Sequence, residues 1–123
     1  MRVFEEQDYD IIKIWTEKNG QAMPMKQMLP KTGFIKDGIC AGFIYCTDSS
    51  VCLLEHIVVN PEIDAELKNK CLNELIETLI VTAKSMGFDT LIAFTDLGVV
   101  IERSKNFGFE MQEKKYTMLS KGL

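Results

Sequence analysis

"CLLEHIVVNPEIDAELKNKCLNELIETLIVTAKSMG", residues 52–87, decides the fold. Its first eight residues are apolar except for Glu55 and His56, and the run ends at Asn60-Pro61. Proline has no N–H to give a ladder, and Asn-Pro favours a turn, so a strand over 51–59 ends there. Beyond the turn the apolar period changes. Leu67, Cys71, Leu72, Leu75, Ile76, Leu79, Ile80 and Ala83 recur at spacings of three and four, the stripe of an amphipathic helix over 65–86 that Met86-Gly87 closes. A helix of this length is a crossover, and it is expected to return the chain in parallel to "TLIAFT" (90–95), read as a buried strand.

Upstream the text is antiparallel. "TGFIKDGICAGFIYCTDSSVCLLEHIVV" reads as strands at 32–36, 39–46 and 51–59, with Asp37-Gly38 as a two-residue hairpin turn and "TDSS" as the next turn. "RVFE" can form a short first strand. Residues 8–18 place Ile11, Ile12, Ile14 and Trp15 on one side of a helix capped near Asp8 or Asp10 and stopped at Asn19-Gly20. In "QAMPMKQMLPK" (21–31), Pro24 and Pro30 limit any helix to a turn or two. Met23, Met25, Met28 and Leu29 there either fill core gaps or line an adaptable pocket. A short helix is expected over 98–107, ended by Gly108, and a last strand or hairpin arm over 109–119. The order predicts one domain, 1–123, with a mixed α/β sheet: antiparallel strands, a helix crossover, then a parallel strand. It is not a doubly wound parallel fold.

Composition narrows the function classes. At 123 residues the chain has the size of one domain, and such domains bury roughly two-thirds of their unfolded surface. A formal net charge of -4 and a pI near 5.0 leave no basic field for nucleic acid or acidic lipid. The N-terminus has no signal-peptide apolar region, and no apolar run approaches the ~20 residues of a membrane span, so a cytoplasmic protein is expected. Cys40, Cys46, Cys52 and Cys71 form no C-x-x-C pair, and the single His is not spaced to join them. They read as buried free thiols, with neither metal site nor disulfide.

Three further stretches carry a resemblance. "CAGFIY" (40–45), "LLEHIVVNP" (53–61) and "SKNFGFE" (104–110), in this order around the long helix, resemble the third strand, the fourth strand and the late Gly-Phe motif of the GCN5-related N-acetyltransferase family. The resemblance covers nearly all of residues 1–120. It implies the acyl-CoA N-acyltransferase fold, acetyl-CoA as co-substrate, and an amine acceptor that is a small molecule or a peptide. In this family backbone groups of the fourth strand hold pantetheine, here Ile57, Val58 and Val59. A Gln/Arg-x-x-Gly-x-Gly/Ala turn then closes on the pyrophosphate, and its six positions fall on Asp64, Ala65, Glu66, Leu67, Lys68 and Asn69.

The turn departs from the family pattern. Asp64 replaces the basic residue, and Leu67 and Asn69 replace the glycines. Each carboxylate about 6 Å from a phosphate opposes it by roughly 0.7 kcal/mol in water and about 3 at a protein surface. Two readings follow. Asp64 caps the helix, with Glu62 and Glu66 favouring its positive end. Or the turn is an altered cofactor loop, with Lys68, Lys70, Arg103 and Lys105 meeting the phosphates.

The resemblance also assigns chemistry. Glu55 stands where a fourth-strand glutamate takes the amine proton; facing outward on an open sheet, it would do nothing. If "TDSS" pairs Cys46 with Val51, Gly42 lies opposite Glu55 and opens a space beside it. His56 then points to the other face and reads as structural. Ser104 stands where many relatives place a tyrosine that protonates the leaving thiolate, and is a much poorer acid. An asparagine near the end of the fifth strand is also missing; its place falls near Asp96-Leu97. Two functions are therefore expected: an N-acetyltransferase with Glu55 as base, or a non-catalytic module of the same fold that has lost CoA binding. A homodimer through the last strand is compatible with either.

Overall fold

A computed structural model gives the fold and describes residues 1–95, 98–112 and 116–123. Strands β1 (Arg2–Val3), β2 (Thr32–Lys36), β3 (Cys40–Cys46), β4 (Val51–Val59) and β5 (Thr90–Ala93) form one sheet in the order β1-β2-β3-β4-β5. The first four are antiparallel neighbours, and β5 joins β4 in parallel after the crossover helix α2 (Ala65–Ser85). Helices α1 (Tyr9–Lys18) and α3 (Gly98–Asn106) complete the order.

The sheet separates two apolar clusters, because successive strand residues face opposite sides. On the α2 side, Leu72, Leu75 and Leu79 pack on Cys40, Ile44, Cys52 and Leu54. On the α1 side, Ile12 and Trp15 pack on Ile35, Ala41, Phe43 and Val58. Gly42 lets α2 lie close to the sheet: a Cβ there would come within 3.1 Å of Leu79 and 3.2 Å of Leu75.

Several expectations are corrected. Ile11 and Ile14 are exposed; Thr16 completes the buried face of α1 beside Ile12 and Trp15. Asp8 does not cap α1 with its side chain. Its carboxylate instead holds Arg2 at 2.7 and 2.8 Å and accepts the Glu5 N–H. β5 is not a buried strand, since only Leu91 and Ala93 pack on the α2 cluster while Thr90 and Ile92 are exposed. Cys40, Cys52 and Cys71 are buried free thiols, but Cys46, at the end of β3, is exposed. The expected last strand spans 113–115, which lie outside the described residues; the described parts of 109–119 carry no regular structure. Met23 and Leu29 pack on the α1 cluster, whereas Met25 and Met28 are exposed.

Candidate active site

Among the described residues β4 is paired on both edges only in its first half. It pairs with β5 from Val51 to Leu54, and with β3 from Cys52 to Val59. From Glu55 onward no strand among the described residues pairs with the β5-side edge of β4, which leaves an open edge in the ladder. The Asn60 N–H donates to the Ile39 carbonyl, on the β3 side. Strand alternation then turns Val59 and Ile57 towards the open edge. Asn19 already donates its Nδ2 to the Val59 carbonyl at 2.9 Å.

The same half carries a bulge. Phe43 lies opposite Glu55 and Ala41 opposite Val58, so Gly42 alone faces both His56 and Ile57. The pairing Cys46↔Cys52 shifts the register by one residue from the expected Cys46–Val51. The turn is longer than "TDSS" because the Thr47 hydroxyl closes it on the Val51 carbonyl. Gly42 therefore lies beneath α2 and not opposite Glu55, so it opens no space beside that carboxylate.

Cross-strand partners share a face, so Glu55 follows Phe43 onto the α1 side. Its carboxyl is half-buried, and burial raises its pKa, against a smaller lowering by the His56 backbone N–H. Tyr45 has its phenol pKa raised by its own burial and then by the Glu55 charge. Tyr45 donates to the Met28 carbonyl, and Tyr9 to the Pro24 carbonyl, both at 2.6 Å. Two phenols thus fasten segment 24–28 beside the face that carries Glu55.

His56 is corrected as well: it joins Glu55 on the α1 face. A backbone φ of +50° breaks the alternation. Its ring lies 6.3 Å from Phe43, and its Nε2 is 3.0 Å from the Thr16 hydroxyl. Thr16 spends its one proton on the Ile12 carbonyl, 2.8 Å away. Nε2 must therefore carry the imidazole proton and donate to Thr16, which leaves Nδ1 with a lone pair. Burial lowers the His56 pKa and favours this neutral form.

The turn into α2 is closed on itself. Asp64 is the N-cap, its Oδ1 accepting the Leu67 N–H at 2.9 Å, as the capping reading expects. Asn60 accepts the Glu62 N–H and donates to the Gly38 carbonyl, and Glu62 meets Lys18 at 2.9 Å. The Ala65 and Glu66 amides head the helix without a partner among the described residues; Lys68 donates its own amide to the Asp64 carbonyl. Leu67 is exposed, and Asn69 accepts from Arg103.

Ser104 is not brought to Glu55. It sits on α3, where its carbonyl accepts the Phe107 and Phe109 amides and, with Gly108 at φ +85°, closes the helix end. Asp96-Leu97 lies outside the described residues. Thr16 and Asn19 escaped the sequence reading: the first lies hidden in an apolar stripe, the second reads only as a helix stop.

No family model matches the sequence, and no curated protein is significantly similar to it. Solved structures do match. An acetyltransferase from Trypanosoma brucei superposes with a TM-score of 0.70 at 18% identity, over 97% of each chain. An aminoglycoside N-acetyltransferase in complex with CoA gives 0.58 at 14% identity, over 99% of this chain and 98% of that one. The apo aminoglycoside 6'-N-acetyltransferase of Acinetobacter haemolyticus gives 0.54 at 22% identity, over 99% and 97%. The chain has the GCN5-related N-acetyltransferase fold. Among the described residues no helix is long and apolar enough to cross a membrane, and no cluster of side chains could hold a metal ion.

Against the needs of acetyl-CoA, the N-acetyltransferase fold is met unevenly here. The open edge of β4 suits a pantetheine amide, which needs backbone donors and acceptors only. The turn at 60–67 suits a pyrophosphate poorly, because Asp64 occupies the Leu67 amide and Glu66 adds a second carboxylate. Lys18 partly offsets the charge of Glu62.

Proposed function

We propose that the protein is an acetyl-CoA-dependent N-acetyltransferase acting on an amine of a small molecule or peptide, with Glu55 as proton acceptor. The observation that carries this reading is the half-buried carboxyl at the point where β4 loses its β5 partner. A thioester aligned along the edge at Ile57 and Val59 would lie next to it. The amine nitrogen attacks the thioester carbonyl carbon, the C–N bond forms, and the amine proton passes to Glu55. The C–S bond then breaks, and the thiolate leaves with a proton from water. A raised pKa makes Glu55 a stronger base than an ordinary carboxylate, which helps it take that proton. A thiolate leaves without a side-chain acid, so Ser104, too weak an acid to serve, has no part in the step, and Met25 and Met28 offer soft apolar surface on the acceptor side.

The test is Glu55→Gln, assayed for acetyl transfer to a panel of amines and, separately, for acetyl-CoA binding. Turnover is expected to fall by about 10²–10⁴-fold with binding kept. In the unchanged protein, the acid limb of the rate profile is expected above the ordinary carboxylate value of 4.5. Unchanged turnover would remove Glu55 from the mechanism. The second reading, a non-catalytic module, is favoured by one observation, the Asp64 cap on the amide a phosphate would need. It predicts that the unchanged protein does not bind acetyl-CoA at all.

A further inference from the structure

Arg2 and Arg103 differ in what holds them. The Arg2 guanidinium is gripped by two carboxylates, Asp8 and Asp37, each 2.7 Å away, and its charge is spent on them. Arg103, on α3, reaches across to α2 and among the described residues meets only amides: Nη1 donates to Asn73 Oδ1 at 2.7 Å and Nη2 to Asn69 Oδ1 at 2.5 Å. A guanidinium has five N–H donors, so three remain, and neutral acceptors leave the positive charge whole. The fork is held in position and kept available.

Arg103 lines a groove of about 520 Å³ between α2 and α3, with Asn69, Asn73, Asn106, Val99 and Phe107 among its walls. Glu102 also lines it, and its carboxylate is tied to Lys105 at 3.3 Å. Asn69 is one turn on from Ala65 and shares its helix face. Asn69 also stands where the resemblance places a glycine. The side chain that blocks close backbone approach to a phosphate is the one that presents the guanidinium.

We infer that Arg103, held between α2 and α3 by Asn69 and Asn73, is the phosphate-binding group of this site. It takes a phosphate of the CoA donor, its charge replacing the glycine-lined turn that the chain lacks. The inference rests on the acetyl-CoA reading above. A planar fork reads a phosphate with two parallel N–H bonds, which a lysine cannot reproduce. Val99 and Phe107 give the neighbouring part of the donor an apolar wall.

The experiment is calorimetric titration of the whole chain and of its Arg103→Gln and Arg103→Lys variants. The ligands are acetyl-CoA, 3'-dephospho-acetyl-CoA and phosphate-free S-acetylpantetheine. Arg103→Gln is expected to weaken acetyl-CoA about tenfold or more, the worth of one charged hydrogen bond, and to leave S-acetylpantetheine unchanged. Arg103→Lys is expected to recover part of the loss. Equal weakening with the dephospho compound assigns Arg103 to the diphosphate, and weakening confined to acetyl-CoA assigns it to the 3'-phosphate. Equal acetyl-CoA affinity in Arg103→Gln overturns the inference and leaves the acetyl-CoA reading standing, as does equal weakening of all three ligands. Absence of acetyl-CoA binding by the unchanged chain overturns both.

Discussion

Cys52–Leu54 and Glu55–Val59 are consecutive stretches of β4, yet among the described residues the first is paired on both edges and the second on one. In the first, Cys52 and Leu54 are buried under α2, and alternation is regular. In the second, the bulge makes Glu55 and His56 share the α1 face, after which Ile57 returns to the α2 cluster and Val58 to the α1 cluster. Within one residue the strand changes from a regular packed ladder to a bulged stretch that carries a half-buried carboxylate. A bulge lets it do so without exposing the apolar residues on either side.

Leu54→Ala should break the paired half. It removes a side chain from the α2 core and is expected to cost about 2–5 kcal/mol in urea unfolding. Glu55→Gln, one residue on, is expected to cost nothing at neutral pH. Its folded pKa is raised, so the native state holds the proton more tightly than the unfolded chain, and stability falls as pH rises through that window from about 4.5. The glutamine variant escapes that loss and should gain on the wild type as pH rises from 4 to 7.

Thr16→Val tests the bulge itself. It leaves the His56 Nε2–H without its acceptor and is expected to cost about 1–3 kcal/mol. His56 works in the opposite sense to Glu55. Its folded pKa is lowered, the unfolded chain binds more protons below 6.5, and stability is lost as pH falls from 6.5 through the folded value. A stability profile with no decline below 6.5 beyond that of a His56→Gln variant would contradict a buried neutral His56.

The smallest effect belongs to the turn beyond the open half. Asp64→Asn keeps the helix cap, since asparagine caps as well as aspartate, and removes one charge. Stability is expected to stay within a few tenths of a kcal/mol, while acetyl-CoA binding tightens about threefold or more. Unaltered binding would mean that the carboxylate does not face the donor.

The sheet was largely legible because apolar period carries it: β2, β3, β4 and α2 lie within a residue of their expected bounds. The site was legible only in its residue types. Glu55 stands out in an apolar strand, but its face depends on a one-residue register and a bulge set by packing on both sides of the sheet. Gly42 was visible, yet its role beneath Leu75 and Leu79 comes from α2, far along the chain. Arg103 reads as one more cation until the fold brings it to Asn69 and Asn73.

The most direct test is amide hydrogen exchange along β4 with and without acetyl-CoA. Ile57 and Val59 are expected to slow markedly on binding while Cys52, Leu53 and Leu54 do not change. Acetyl-CoA binding that leaves the Ile57 and Val59 amides untouched, or no binding at millimolar ligand, would contradict it.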